Sequence, residues 1–252
     1  MQDDTNYQEF KQRIQSYLAE KQRHRFVDFA KRERRSDLPL SAIAAISGGK
    51  YMTHWRGIEV FKDPLDVVIY QQLIAELCPK TIFELGTYTG GTTLWMADLL
   101  HTLDVDGHIY SVDIDGSLPG DTVKKHPKIT FIEGDLNRID SVFPDELLDR
   151  CPHPWLVIED AHINVVGALE FFHNWMQSGD YFIVEDTNPD SPAISGMGLF
   201  EDMEYVPFGP GKLEELEQFM QVRGDDYRVD SYYTDMFGFN ATWNWNGFLR
   251  RN

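Results

Sequence analysis

An α/β fold is predicted, with a doubly wound, mostly parallel sheet that follows an N-terminal helical extension. Two observations carry this prediction. Five short apolar runs alternate with helix-length segments, which is the order of elements in a doubly wound sheet. The runs are continuously apolar, as expected for parallel strands that are buried on both faces. The sheet is therefore Rossmann-like, and its predicted strands are residues 81–85, 108–112, 129–132, 155–158 and 181–184.

Helices are predicted before, between and after these strands. Apolar side chains recur at three- and four-residue spacing from Tyr7 onward, which indicates a helix over residues 7–35. Asp63-Pro64, a capping residue followed by proline, begins a second helix that ends near residue 79. Further helices are expected at residues 92–103, 117–125, 141–150, 165–177 and 212–222, and a last strand at residues 246–251.

These elements divide the chain into an N-terminal helical extension, residues 1–55, and a sheet domain, residues 56–252. Within the second part, residues 187–211 hold four prolines and four glycines. A loop of this length in a compact domain is usually functional. We interpret it as a lid over a binding site.

Charge and composition narrow the classes of partner. The formal net charge is −18, although residues 1–35 hold nine basic side chains against six acidic ones. A body this acidic repels phosphate backbones, so nucleic acid is not expected as a substrate. The acidic start, the two cysteines and the absence of an apolar run of roughly 20 residues suit a cytoplasmic protein without a membrane span. The basic segment is interpreted as a solvated helix face or as a surface that packs on the acidic body of a neighbouring subunit.

A glycine turn follows the first strand of the sheet. Gly86 and Gly90 permit a tight turn and the close approach of a ligand, and the next helix offers free N–H groups. A dinucleotide site would have glycine where Tyr88 stands, and Glu84 would repel a pyrophosphate. These residues therefore suit a cationic nucleoside without phosphates, S-adenosylmethionine, although a plain strand-to-helix turn is also often rich in glycine.

Acids follow the second and third strands as well. In open α/β nucleotide sites, an acid at the tip of the second strand accepts hydrogen bonds from ribose hydroxyls, and Asp113 has this position. The third strand runs into Gly134 and Asp135, where the carboxylate either meets the adenine amine or is an ordinary turn residue. We include all three residues in the candidate cofactor site.

The strongest functional signal is a set of carboxylates at two strand ends. Asp160 follows the fourth strand, and Glu185 and Asp186 follow the fifth. These strands are neighbours in the usual strand order, so their acids converge and repel one another. A hard divalent cation, Mg²⁺ or Mn²⁺, resolves that conflict. The alternative is that Glu185 caps a helix or pairs with an arginine.

His162 lies two residues after Asp160 on the same loop. Most histidines are structural or exposed, and the other seven in this chain receive that interpretation. Because His162 would face whatever the metal holds, we interpret it as a general base that acts in catalysis together with Asp160.

The tail over residues 237–247 is rich in aromatic side chains and asparagines. One interpretation is a substrate wall of rings and amides, as in carbohydrate sites. The other is a strand hairpin that buries its rings. The sequence supports both equally.

Together these motifs resemble the cephalosporin hydroxylase and rhamnosyl O-methyltransferase family. The likeness runs from about Trp55 to Arg251, and several separated motifs occur in the same order. They are residues 84–92, Val112-Asp113, Glu133-Gly134-Asp135, Asp160-Ala161-His162, Glu185-Asp186-Thr187, Phe208-Gly209-Pro210-Gly211 and the closing segment from Asn246 to Arg251.

The resemblance implies a class I methyltransferase domain that binds S-adenosylmethionine, with Mg²⁺ held by Asp160, Glu185 and Asp186. It also implies methyl transfer to a hydroxyl of a sugar or another natural product by an oligomeric protein. Two departures are evident. The tail has Trp245 where family members often have proline between two asparagines, and the first 50 residues have no counterpart.

The expected reaction is in-line transfer of the sulfonium methyl to an acceptor oxygen. Coordination to a divalent cation lowers the pKa of a hydroxyl, and a vicinal diol would chelate the cation. Two rival functions remain. One is a metal-dependent hydroxylase or oxygenase, for which the sequence offers no triad of two histidines and a carboxylate. The other is a catalytically silent nucleoside-binding subunit, which the intact set of acids disfavours.

Overall fold

The computed structural model of the chain describes residues 2–188 and 211–252. Its strands are β1 (Phe26–Val27), β2 (His54–Trp55), β3 (Ile58–Glu59), β4 (Thr81–Leu85), β5 (His108–Asp113), β6 (Ile129–Glu133), β7 (Trp155–Glu159), β8 (Tyr181–Val184), β9 (Tyr227–Asp230) and β10 (Phe248–Arg251). Its helices are α1 (Gln2–Arg23), α2 (Leu40–Lys50), α3 (Pro64–Leu77), α4 (Gly91–Thr102), α5 (Asp121–Lys124), α6 (Ile139–Val142), α7 (Asp145–Leu148), α8 (Val165–His173), α9 (Lys212–Arg223) and α10 (Ser231–Thr234).

The main sheet has the strand order β1-β9-β10-β8-β7-β4-β5-β6. Strands β8, β7, β4, β5 and β6 are parallel, and β10 runs antiparallel between β8 and β9. The predicted fold is confirmed. Each of the five predicted central strands forms within one residue of its expected bounds, because a continuous apolar run has no exposed face that would permit another placement.

The core lies on both faces of this sheet. Alternate side chains of a strand point to opposite faces, so Phe83 packs with α8 and α9 on one face while Ile82 packs with α3 and α4 on the other. The parallel strands therefore end at one well-packed edge, and their carboxyl ends carry the candidate site.

The N-terminal extension differs from its prediction. The helix expected over residues 7–35 ends at Arg23, and β1 follows because its backbone pairs antiparallel with β9. Arg25 also turns inward, where its Nε lies 2.8 Å from Asp230 Oδ1. The Gly48-Gly49 pair lies inside α2.

The basic segment has two parts: its side chains on α1 are exposed, as expected of a solvated helix face, whereas the arginines after α1 pack on the acidic body of the same chain. Arg32 donates two hydrogen bonds of 2.7 Å to the carboxylate of Asp235. Arg34 pairs with Glu217 of α9. These contacts fasten the extension to the sheet domain without a neighbouring subunit.

Other differences from the predictions are smaller. The helix expected at residues 141–150 is divided into α6 and α7, because Pro144 has no N–H with which to continue the first helix. The predicted lid over residues 187–211 lies outside the described residues except for its first two positions and its last. Within the described ranges, no helix has both the length and the apolar character needed to cross a membrane.

Removal of one partner from the buried ion pair of Arg25 and Asp230 should be strongly destabilising. Replacing Arg25 with methionine leaves the fully buried carboxylate of Asp230 without its cation. We expect the free energy of unfolding to fall by about 3–5 kcal/mol in urea denaturation. Arg23→Met is the control, since the Arg23 side chain is 70% exposed, and it should change stability by less than about 0.5 kcal/mol. Equal losses in the two variants would contradict this role.

Candidate active site

The glycine turn after β4 lies directly against the end of β7. Gly86 has φ +104°, and a Cβ at this position would lie 2.7 Å from the carbonyl oxygen of Asp160. Only glycine permits that approach without displacing backbone. Gly90, with φ +84°, is the N-cap of α4. The turn predicted to bind cofactor and the loop predicted to bind metal are therefore in contact.

The acids after β5 and β6 are both involved in turn hydrogen bonds. Asp113 Oδ2 accepts from the backbone N–H of Tyr88 at 2.7 Å, which ties the glycine turn to β5. Asp135 Oδ1 accepts from the N–H of Asn137 at 2.9 Å and caps a short 3₁₀ turn. The N–H of Gly134 donates to the carbonyl of Asp113 at 2.9 Å. Each of these carboxylates has lone pairs left for a ligand.

Glu84 lies beneath the glycine turn. Its carboxylate is buried and accepts hydrogen bonds from the hydroxyls of Ser111, at 2.5 Å, and Thr93. Burial raises the pKa of Glu84 to about 7, although these hydroxyls and Lys62 lower it. Glu84 therefore supports the turn from below, at the junction of β4, β5 and α4.

Asp160, His162 and Asp186 converge at the ends of β7 and β8. One ligand atom from each lies within 4.8 Å of the others. His162 Nε2 is 3.0 Å from Asp186 Oδ2 and 3.9 Å from Asp160 Oδ1. His162 and Asp186 both have positive φ, 57° and 55°, a conformation that non-glycine residues adopt mainly where function or tight packing requires it.

Glu185 is not part of this group in the structure. Its buried carboxylate lies 2.5 Å from Lys62 Nζ and accepts a hydrogen bond from the hydroxyl of Tyr70. Burial and Asp160 raise the pKa of Glu185 to about 7, against the lowering effect of Lys62 and Tyr70. Lys62 Nζ is also 3.6 Å from Asp160 Oδ2, so the ammonium stands between the two carboxylates.

Three buried lysines around these acids were missed by the sequence analysis. Besides Lys62, Lys50 Nζ lies 3.6 Å from Asp186 Oδ1 and Lys212 Nζ lies 2.9 Å from Glu159 Oε2. Burial is the largest single effect and lowers the pKa of Lys50, but Asp186, Tyr51 and Asp160 together outweigh it, and the net shift is upward. Nothing in the sequence marked these lysines, because a lysine beside a helix end is ordinarily exposed.

The tail over residues 237–247 does not fully match either interpretation of its sequence, a substrate wall or a strand hairpin. It contains no strand, so the hairpin alternative is wrong. The asparagines Asn240 and Asn246 are buried and bond to residues of the N-terminal extension. Trp245 is buried as well, but the ring of Trp243 faces Lys50 Nζ at 4.5 Å, beside the acids. Only this last ring is placed as a wall of the site would be.

The parallel sheet, its antiparallel last strand and the glycine turn define a class I methyltransferase fold. A solved structure described as cmcI-D160 Mg-SAM has 26% sequence identity and a TM-score of 0.62, and the likeness covers 80% of this chain and 77% of that one. Another, described as cmcI-N160 SAH, has the same identity and a TM-score of 0.59, over 88% of this chain and 94% of that one.

The family follows from the sequence comparisons. The family model for rhamnosyl O-methyltransferase/CmcI matches residues 48–252, so the chain belongs to this family. Rhamnosyl O-methyltransferase of Mycobacterium leprae is 26% identical over 211 residues, which are 79% of this chain and 83% of the relative. The enzyme of the same name from Mycobacterium tuberculosis H37Rv is 24% identical over 212 residues, 79% and 78% of the two chains. The resemblance found in the sequence is confirmed.

The raised pKa of Glu84 predicts a pH-dependent contribution to stability. Its ordinary pKa is 4.5, so between about pH 4.5 and 7 the folded state keeps a proton that the unfolded state gives up. The stability that the folded state has while Glu84 is protonated is therefore lost as the pH rises to 7. Glu84→Gln has no charge to bury, and its stability relative to the parent should be higher at pH 8 than at pH 5 by about 3 kcal/mol.

Urea denaturation at the two pH values measures this difference. The control is Glu133→Gln at the end of β6, where the carboxylate is exposed. A relative stability of Glu84→Gln that is the same at pH 5 and pH 8 would show that Glu84 is ionised in the folded protein throughout this range.

Proposed function

We propose that this protein is an S-adenosylmethionine-dependent and divalent-metal-dependent O-methyltransferase that acts on a hydroxyl of a small molecule. Its family and its relatives named rhamnosyl O-methyltransferase support the activity. The similar structures described with Mg-SAM and SAH support the cofactor and Mg²⁺.

One observation of the structure carries this proposal. The backbone of Gly86 in the glycine turn touches the backbone of Asp160 at the acid cluster. A methyl donor on the turn and an acceptor oxygen at the acids are then held side by side on rigid strand ends. Holding two reactants in line is the main task in this reaction, because the sulfonium methyl is already activated.

The donor half of the site is proposed to lie along the turn and the tips of β5 and β6. Asp113 is fixed by the N–H groups of Tyr88 and Asp115, and its remaining lone pairs would accept hydrogen bonds from the ribose hydroxyls of the donor. Gly134 and Asp135 stand at the next strand end for the adenine. Glu84, held beneath the turn, keeps its shape and so positions the donor rather than contacting it.

The acceptor half is proposed to be the acid cluster. Two carboxylates and an imidazole within 4.8 Å are a donor set that fits a divalent cation. A bound cation lowers the pKa of a coordinated hydroxyl by several units. Asp160, at the contact with the glycine turn, is the proposed acceptor of the hydroxyl proton.

The role of His162 as a general base stays a prediction. Its Nε2 faces Asp186 and Asp160, whereas a base must present that nitrogen to the acceptor. Glu185 as a metal ligand likewise stays a prediction, since its carboxylate is engaged by Lys62 and Tyr70. The alternative of a hydroxylase gains no support. The cluster has one histidine and two carboxylates, whereas an iron oxygenase site of that type has two histidines and one carboxylate.

We further propose a cytoplasmic homo-oligomer that acts on a natural product and has neither nucleic-acid nor membrane partners. The net charge of −18 supports the exclusion of nucleic acid. The apolar stripe of α1 supports self-association, because Tyr7, Phe10 and Tyr17 are more than half exposed in the single chain.

Asp113→Ala should weaken binding of S-adenosylmethionine by about 1.5–3 kcal/mol, the range for hydrogen bonds to a charged group. Isothermal titration calorimetry measures this change. Asp121→Ala is the control, since Asp121 is an exposed carboxylate at the start of α5. Unchanged affinity would remove Asp113 from the cofactor site, and tighter binding of NAD than of S-adenosylmethionine would overturn the proposed function.

Metal dependence is tested by turnover. EDTA should abolish formation of S-adenosylhomocysteine with catechol as a vicinal-diol acceptor, and Mg²⁺ or Mn²⁺ should restore it. Asp160→Asn should lose this response but still bind S-adenosylhomocysteine in calorimetry, because the cation serves the acceptor. Asp106→Asn is the control, since its side chain is 98% exposed in the turn before β5. Full turnover by metal-free enzyme would return the acids to a structural role.

A further inference from the structure

We infer that Arg32, in the N-terminal extension, is a positioning residue for the acceptor half of the active site. It holds the tail over residues 237–247, and the tail holds residues 186–188 beyond the end of β8. Arg32 precedes residues 48–252, which the family model matches, so this support comes from a part of the chain outside the family likeness. The inference rests on the proposed function for what the acceptor half does.

The side chain of Arg32 is packed into the tail and is only 4% exposed. Its Nε donates to Asn246 Oδ1 at 2.7 Å, and its Nη2 donates to Asn240 Oδ1 at 3.1 Å. Both terminal nitrogens also donate to Asp235, just before the tail. The guanidinium carbon lies 4.1 Å from the centre of the Phe239 ring. A planar guanidinium can serve these acceptors together, whereas a lysine ammonium cannot reach all of them from one point.

The asparagines that Arg32 contacts shape a turn in the tail. The N–H of Asn246 donates to Asn240 Oδ1 at 3.0 Å, so this oxygen accepts from both the tail and the guanidinium. Asn240 and Asn246 have positive φ, 46° and 55°, a conformation that is uncommon outside glycine. The contacts of Arg32 therefore stabilise a turn that the backbone adopts only at some cost.

Three consecutive tail residues just before Asn246 hold the three residues at 186–188. Asn244 Oδ1 accepts from the N–H of Asp186 at 3.0 Å. The other two bonds measure 3.1 and 2.8 Å and join the N–H of Asn188 to the carbonyl of Trp243, and the hydroxyl of Thr187 to the carbonyl of Trp245. Neither segment is a strand or a helix, so these bonds define its path.

The path of the tail also places the wall of the acceptor half. The ring of Trp243 faces Lys50 Nζ at 4.5 Å, and the same nitrogen lies 3.6 Å from Asp186 Oδ1. A shift of the tail would move this ring and the backbone of Asp186 together. Misplacing a reactant by about 1 Å can cost on the order of 10²-fold in rate. The donor half is built on β4, β5 and β6 instead, so loss of Arg32 should affect the acceptor rather than the donor.

Amide hydrogen exchange of the whole protein tests this support without any ligand. Arg32→Lys keeps the positive charge but not the fork of donors. Exchange at residues 186–188 and 243–246 should become about tenfold faster, while the amides of β4 keep the parent rate, because local opening is separate from global unfolding. The matched control is Arg34→Lys, the same change in an exposed arginine that bonds to Glu217, and it should alter neither region.

Kinetics separate positioning from a general loss of stability. With Mg²⁺ and catechol, kcat/KM for catechol should fall about tenfold in Arg32→Lys, whereas the Kd for S-adenosylhomocysteine should stay within about twofold of the parent. Asn246→Gly removes an acceptor of the Arg32 fork but permits the positive φ, and it should cause a similar loss. The two changes together should lose little more than either alone, because both break one contact. If Arg32→Lys does not fold, Asn246→Gly carries the same test.

Three results would overturn the inference. One is unchanged exchange at residues 186–188 in Arg32→Lys, which would mean that Arg32 fastens the extension and not the site. Another is equal acceleration in β4, which would show a contribution to global stability alone. The third is fully additive losses in the double variant. Failure of the parent protein to bind S-adenosylhomocysteine would instead overturn the proposed function, and the exchange measurement would still decide the role of Arg32 in holding residues 186–188.

Discussion

The balance of buried charge at the carboxyl edge of the sheet is the constraint on which the rest of the site depends. Two neighbouring parallel strands each end in a pair of acids, and carboxylates this close in a low dielectric repel one another strongly. The chain relieves this repulsion with ammonium groups brought from outside the sheet, since burying charges is tolerable only in pairs. The acids are Glu159, Asp160, Glu185 and Asp186, and the cations are Lys50, Lys62 and Lys212.

These lysines also explain how the parts of the molecule are joined. Lys50 ends α2, Lys62 precedes α3 and Lys212 begins α9, so three separate elements are fastened to one edge of the sheet by its acids. Arg32 and Arg34 fasten the extension further out. The excess of four carboxylates over three lysines leaves a negative site, which is the condition for binding a cation.

The sequence predicted the sheet well and the contacts around its edge poorly. Apolar runs report burial on both faces, so the strands were placed correctly, as was the convergence of Asp160 and Asp186. The stripe beginning at Tyr7 indicated a helix but not its end, because the end is set by pairing of β1 with β9, which lie some 200 residues apart. Buried lysines have no local signature at all, since their burial depends on acids distant in sequence.

The tandem acids separate just beyond the end of β8. Glu185 and Asp186 follow Val184, and the backbone turns at Asp186, which has a positive φ of 55°. Glu185 goes toward α3, where Tyr70 and Lys62 receive it. Asp186 goes toward the crevice, where His162 already lies. In the structure Asp186 therefore lies in the crevice, while the carboxylate of Glu185 contacts Lys62 and Tyr70.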